Sequence, residues 1–491
     1  MSVEGQTFTD LDVEGFLGAV HKLITEEAFV KGTNRGNPVF EFKQPEDLKT
    51  LIDFEIKANP STHAAILEEL TKIIKYSVKT GHPYFFNLLF SGLDPYSQAG
   101  SWVTDAVNSN MHTYETSPVF ILMENYMFKK LTSIVGFDDG GGLFCPGGSA
   151  SNQLALHISR FNRFPEIKKV GLYGLPRLRC YISEDGHYSL KKAGNYLGIG
   201  EENVVTILTD NSGRVLPGDL QQKVVADIEQ GYIPLFVMAT CGSTVLGSFD
   251  SLPELQDICR RYNMWLHCDA CYGGSVLLSK QHRHLLYGIE GCDSVSWNFH
   301  KMSGLPHQCA ALLVKNKAIL LEANCSKAEY LFQADKFYDT NYDIGDKSIQ
   351  CGRKVDVLKL WTLWKAIGDL GMENRINKAF EKARYMVDLL KKSPGFRPVL
   401  PEFQCVSVSF WYIPERYRGQ EETPEWWLAI HKVAPEIKRR MVEAGTLMIS
   451  YQPMSSKGFV NFFRIVLHNP ACNQGDMKYV IEEIDRLGKD L

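Results

Sequence analysis

Between about residues 140 and 320 the chain alternates short apolar runs with patterns of helical period. The runs RCYIS (179–183), VVTIL (204–208), PLFVMAT (234–240), MWLHCDA (264–270), SVSWN (294–298) and CAALLV (309–314) have the length and the β-branched content of buried strands. Between them, Leu220, Val224, Val225 and Ile228 recur at i, i+4, i+5 and i+8 on one helical face, and Leu255, Ile258 and Cys259 share another. Strands alternating with helices predict an α/β fold with a mostly parallel sheet covered on both faces. Such sheets bind ligands at the carboxyl ends of their strands, so candidate chemistry is sought there.

The ends of the chain read differently. The first 90 residues look helical, as in Ile66, Leu70, Ile73 and Ile74, and run into the turn-rich HPYFFNLLFSGLDP. Helical patterning resumes over 374–391 and leads to the short strands VSVSFWYI and NFFRIVL, an α+β ending. The charged stretch 414–424 reads as an exposed loop.

Composition narrows the class. A chain of 491 residues predicts two or three domains. A net charge of −4 offers no basic surface for nucleic acid or anionic membrane. The opening MSVEGQTFTDLDVEGF lacks the basic and apolar regions of a secretory signal, and no apolar run approaches the roughly 20 residues that span a bilayer. Twelve scattered cysteines read as reduced buried thiols, which points to a cytoplasmic protein. Cys268 and Cys271 have CxxC spacing but lack the second pair of a zinc site, so no metal is expected.

Three segments carry candidate chemistry. CPGGSASN (145–152) precedes the helical positions Leu154, Leu156 and Ile158. Small residues opening a helix leave N–H groups free at its positive end, which suits a phosphate; many such turns are also just turns. HCDACYGG (267–274) ends an apolar strand on Asp269, a carboxylate that either caps a loop or meets a buried positive charge. SVSWNFHK (294–301) sets Lys301 just past the next strand, at the same sheet edge. A lysine that can shed its proton is the standard residue for holding an aldehyde. Phosphate loop, strand-end Asp and strand-end Lys, in this order, match the phosphate anchor, ring-nitrogen partner and amine that pyridoxal phosphate (PLP) requires.

Over nearly the whole chain, TGHPYFFN, FSGLDP, TYETSPVF, FCPGGSASN, GSTVLGSFD, NFHK, YLFQADKFYD, GDKSIQCGR and NFFR resemble the group II PLP-dependent amino-acid decarboxylases. The likeness is greatest to their acidic subgroup of cysteine sulfinic acid, glutamate and insect aspartate decarboxylases. The resemblance implies the fold type I architecture of PLP enzymes. It divides the chain into an N-terminal helical dimerisation segment (1–90), a large PLP-binding α/β domain (91–370) and a small C-terminal α+β domain (371–491). It also implies an obligate homodimer with active sites at the interface.

Carried over position by position, the resemblance makes Lys301 the cofactor lysine and Asp269 the partner of the ring nitrogen. His187 stacks on the ring, Thr244 lies close to the cofactor, and Ser149, Ala150, Asn298 and His300 surround the phosphate. Tyr338, in a mobile loop over 330–341, corresponds to the tyrosine that protonates the substrate carbon after CO₂ leaves. Arg464 corresponds to the arginine that grips the acidic side chain, and Phe90, Asn110, His112 and His307 belong to the same substrate pocket.

Several positions depart from the family pattern: Phe299 for a proline, Cys271 for an alanine and Leu88 for a glutamine. His112 and His307 stand where related enzymes carry an aromatic residue and leucine. Phe90 is bulky and favours a side chain shorter than glutamate's. The expected substrate is therefore cysteine sulfinate, giving hypotaurine, with aspartate to β-alanine beside it. The alternatives are a glutamate decarboxylase, or a weakly active PLP-binding paralogue that serves as a dimer partner. A PLP aminotransferase would leave YLFQADKFYD without a purpose.

Overall fold

The structure is a computed structural model that describes residues 12–90 and 92–491. Most of the N-terminal stretch read for a secretory signal, and Ser91 of the FSGLDP motif, lie outside the described residues.

The first strand, β1 (Phe85–Phe86), belongs to a small sheet that is completed only near the end of the chain. The next seven form the large sheet: β2 (Gly141–Cys145), β3 (Leu178–Ser183), β4 (Val204–Ile207), β5 (Ile233–Thr240), β6 (Trp265–Asp269), β7 (Ser294–Asn298) and β8 (Ala310–Val314). Their spatial order is β2-β8-β7-β6-β5-β3-β4. The pairs from β7 to β4 are parallel, whereas β8 runs antiparallel to both β7 and β2. All six expected strands are present.

The edge strand β2 has no counterpart in the sequence expectation. Its GGLFC is glycine-rich and short, and its register comes from β8, from Gly141 opposite Val314 to Cys145 opposite Ala310. A Cβ on Gly142 would stand 2.4 Å from the Phe128 ring, so close approach of the helix Pro118–Val135 requires glycine there.

Alternation along the central strands feeds two cores. On β5, Val237 and Ala239 join the helices Pro217–Glu229 and Leu252–Arg261, while Phe236 and Met238 join the helix Gly148–Arg163 on the other face. Leu255, Ile258 and Cys259 are buried as their spacing predicts. Of the other set, Leu220 and Val224 are buried and Val225 and Ile228 are exposed.

The remaining strands are β9 (Phe396–Pro398), β10 (Ser407–Tyr412), β11 (Met448–Met454) and β12 (Phe459–Val466), ordered β1-β11-β12-β10-β9. VSVSFWYI and NFFRIVL supply β10 and β12. Parallel pairing of Phe85 with Met448 and Phe86 with Ile449 ties residues 85–86 into this C-terminal sheet. The helical stretch Val357–Lys392 is longer than the expected 374–391 and breaks at Gly368, whose φ of 65° lies in the left-handed region. Residues 414–424 are largely exposed and irregular apart from one short turn of helix, Glu415–Tyr417, and end where the helix Pro424–His431 begins.

The N-terminal helices Val13–Leu23 and His63–Tyr76 bury no residue at all, and Ile66 and Ile73 of the second are 37% and 44% exposed. Among the described residues, no helix is long and apolar enough to cross a membrane. All twelve cysteines are free, ten of them buried.

Candidate active site

Strand ends assemble the site. Thr240 closes β5, Asp269 closes β6 and Asn298 closes β7; Thr240 pairs with Asp269, and Asp269 with Ser296, in the parallel ladder. Lys301 lies three residues past β7. The order in which strands are added reverses between the parallel neighbours β3 and β5, where ligands of open α/β sheets bind, and His187 follows β3 at that point. The helix Gly148–Arg163 opens onto the same edge after Gly147, with no side chain capping its first turn and with Ser149 exposed. Together these residues, with Asn152, Gly242, Thr244, Cys271 and Tyr272, line a cavity of about 160 Å³.

The electrostatics suit a ring with a protonated nitrogen. Burial opposes ionisation of Asp269, but the nearby charges of Lys301 and His187 outweigh it and hold its carboxyl below the ordinary value. Its Oδ2 accepts from Asn152 Nδ2 at 2.9 Å and its Oδ1 from the Cys271 N–H at 3.1 Å. His187 accepts at Nδ1 from the Ser189 N–H at 3.3 Å, and burial lowers its pKa. Burial, and then His307, push His300 down to about 3, and the Cys309 backbone engages its Nδ1.

PLP fits this donor set. The uncapped helix start and Ser149 offer hydrogen bonds for a phosphate. Asn298 Oδ1 and Thr240 Oγ1 are buried without a partner, and Asp269 supplies a negative charge at the bottom of the cavity. Ala150 sits in the first turn of the same helix beside Ser149.

The expected substrate residues fall into two groups. Arg464 on β12 is buried and donates to Thr244 O at 2.6 Å and to Asn87 O at 3.2 Å. Its Nε is buried with no partner, and among the described residues no carboxylate pairs with it. Phe90 meets His307 edge-on at 4.1 Å between ring centroids, and His307 lies 4.4 Å from His300. None of the expected substrate residues lines the cavity itself, but Arg464 touches Thr244 of its wall, whereas Asn110, His112 and Tyr338 form a separate cluster. There Asn110 Oδ1 accepts from the Arg353 N–H and the His112 carbonyl from the Gly345 N–H. The Tyr338 hydroxyl donates to Asp343 at 3.0 Å, and its stretch, 330–341, is irregular, with Phe337 94% exposed.

The departures from the family pattern divide in the same way. Cys271 lines the cavity. Phe299 is fully buried against Trp297, with centroids 4.7 Å apart, a core position whose burial contributes roughly 2–3 kcal/mol. Leu88 is 40% exposed. Several residues at the site were absent from the sequence expectation: Thr240, Gly242 and Tyr272 line the cavity, and two more brace Asp269. Asn152 touches Asp269 directly, and His267 touches Asn152 at 3.0 Å. Asn152 stands in the quoted CPGGSASN and His267 two residues before Asp269, but nothing in the sequence says that they meet.

Comparison with known proteins agrees with this chemistry. Residues 45–413 match the family model described as the pyridoxal-dependent decarboxylase conserved domain. The chain is 48% identical to the cysteine sulfinic acid decarboxylase of Homo sapiens over 98% of its own length and 97% of the relative's. It is also 48% identical to the acidic amino acid decarboxylase GADL1 of Homo sapiens, over 97% and 91%. The crystal structure of mouse CSAD in apo form superposes with a TM-score of 0.94 at 46% identity, covering 98% of this chain and 99% of that one. By its site, its fold and its sequence, the chain belongs to the pyridoxal-dependent decarboxylases and uses PLP to remove the carboxylate of an amino acid.

Proposed function

We propose that the protein decarboxylates a short acidic amino acid, foremost cysteine sulfinate to hypotaurine, with aspartate to β-alanine as a second activity. The observation that carries this is Arg464, a buried guanidinium beside Thr244 with one donor unused and no carboxylate partner among the described residues. Isolated buried charge is costly, and a sulfinate or carboxylate docked on its fork would compensate it. Phe90 against His307 supports the shorter acids over glutamate, although a methylene of room is worth only about 1–3 kcal/mol, so activities overlap. The names of the relatives, cysteine sulfinic acid decarboxylase and acidic amino acid decarboxylase, support the same class.

When bound, PLP supplies an electron-poor ring that takes up the electron pair left as CO₂ departs. In this reading the Lys301 amine holds the aldehyde until substrate arrives, and Asp269 keeps the proton on the ring nitrogen. His187 covers the ring face, Thr244 walls the cavity, and Ser149, Ala150, Asn298 and His300 bind the phosphate. Tyr338 then delivers a proton to the substrate α-carbon.

We also propose a homodimer in which Asn110, His112 and Tyr338 serve the cavity of the other subunit. Their hydrogen bonds, which go to Arg353, Gly345 and Asp343 rather than to residues that line the cavity, and the uncovered apolar positions of the N-terminal helices support it. The division into 1–90, 91–370 and 371–491 and a cytoplasmic location belong to the same proposal, the latter in keeping with twelve free thiols.

Turnover of cysteine sulfinate, aspartate and glutamate by the purified PLP-loaded protein, with Lys301→Ala as control, tests the substrate assignment. Cysteine sulfinate is expected to lead and glutamate to trail. Dominant glutamate turnover would discard the short pocket.

A further inference from the structure

Beside Asp269, on the sheet face covered by the helix Gly148–Arg163, a chain of buried polar groups runs along β6 and β7 to Asn152 at the cavity wall. Trp265 Nε1 lies 2.8 Å from Ser294 Oγ, Ser294 Oγ 2.8 Å from His267 Nδ1, and His267 Nε2 3.0 Å from Asn152 Oδ1. Asn152 Nδ2 then reaches Asp269 Oδ2 and Ser189 Oγ, each at 2.9 Å. Asn152, His267 and Ser294 are buried almost completely, while Trp265 at the outer end is partly exposed.

The two ends fix the direction of every bond between them. An indole N–H can only donate, and an ionised carboxylate can only accept. Asn152 spends both amide hydrogens on Asp269 and Ser189, so its oxygen must accept, and His267 must carry its proton on Nε2. The other ring nitrogen therefore accepts from the Ser294 hydroxyl, which accepts in turn from Trp265. Ser296 Oγ, 3.2 Å from Nε2, shares the same proton. The reversed tautomer would set a bare Nε2 against a carbonyl oxygen. Burial pushes His267 down to about 4, so the ring is neutral at physiological pH, as this single arrangement requires. Each donor thus points toward Asp269, and bonds aligned in one sense polarise one another.

We infer that His267 is the positioning residue for Asp269: acting through Asn152 and braced by Ser294 and Trp265, it aims the carboxylate and keeps it ionised at the cofactor's ring nitrogen. Asn152 is the branch point. Its second hydrogen bond holds Ser189, whose own N–H holds the His187 ring, so one amide sets both the group at the ring's edge and the group read as covering its face. The inference rests on the reading that Asp269 faces the ring nitrogen, and the test separates the two.

Holoenzyme reconstituted with PLP labelled with ¹⁵N at the ring nitrogen reports protonation directly through its chemical shift, and titration of the apo protein gives cofactor affinity. In the wild type the signal is expected at the protonated position. His267→Phe keeps an aromatic ring against Phe236, removes both nitrogens, and should move the signal toward the unprotonated position while weakening PLP about tenfold. Trp265→Phe, which removes only the outermost donor, should shift the signal the same way by less. Should His267→Phe fail to fold, Trp265→Phe decides alone. Asp269→Asn is the reference for a lost carboxylate. If it moves the signal and the other two variants match wild type in both shift and affinity, the relay is overturned and the role of Asp269 stands. If Asp269→Asn leaves the signal in place, that role falls and the inference falls with it.

Discussion

The Cys271 thiol fills the space that a side chain at Gly148 would need: a Cβ there would stand 2.4 Å from Sγ and 2.9 Å from the Asn298 amide nitrogen. The phosphate-side helix and the strand-end loop are therefore locked together by a contact that tolerates no added atom. Gly148→Ala is expected to splay the cradle and weaken PLP by at least about tenfold, a cost in the range of overpacking. Cys271→Ala in the same chain should recover part of the loss, because the alanine clears Sγ while Asn298 still crowds the position. Cofactor titration of the two single variants and the double variant measures the coupling.

Arg464→Gln removes the buried charge and keeps a polar side chain. For cysteine sulfinate, kcat/KM should fall by about 100-fold, in line with hydrogen bonds to a charged group. The preference for acidic over neutral amino acids should collapse with it. Unchanged selectivity would make Arg464 a structural residue held by the Thr244 and Asn87 carbonyls.

Tyr338→Phe should divert turnover from amine toward a carbonyl product, as the proton goes to the cofactor rather than to the substrate carbon. The same variant tests its reach across the interface. Co-expressed with Lys301→Ala, it forms mixed dimers that contain one intact site only if Tyr338 acts on the partner's cavity. Recovery of decarboxylase activity in the mixture is expected; mixtures as inactive as the parents would place the tyrosine in its own subunit.

Stability should depend on pH through buried neutral histidines. Burial pushes His267 down to about 4 and His468 to about 3, against roughly 6.5 in an unfolded chain. The unfolded state binds protons that the folded state refuses, so their contribution is complete above about pH 6.5 and is lost as pH falls. Each group adds a slope of up to about 1.4 kcal/mol per pH unit. Burial lifts the Asp250 carboxyl to about 7, and its contribution runs the other way in this window, so the histidine share is read as the difference between two proteins. Urea unfolding of wild type and His267→Phe between about pH 6.5 and 5 should show the wild type losing more stability as pH falls; parallel profiles contradict it.

Much of the cofactor edge was legible in the chain because the physics is local. Asp269 and Lys301 follow apolar runs long enough to name the strands, and small residues mark the helix start at Gly148. Local signals fail where register comes from elsewhere. β2 exists because β8 templates it, and the two-residue β1 exists because β11 lies beside it, more than 360 residues away along the chain. The link from Asn152 to His267 spans 115 residues, and although each stands in a quoted motif, neither residue type announces a partner. Phe299 shows the converse: a departure from the family pattern beside Lys301 is core packing against Trp297.

The central claim is a covalent one, that the amine of Lys301 holds PLP. Borohydride reduction of the holoenzyme followed by peptide mapping tests it most directly. A single pyridoxyl label on the peptide containing Lys301, absent from Lys301→Ala, is the expected result. A label on any other lysine, or a Lys301→Ala protein labelled like the wild type, would contradict the account.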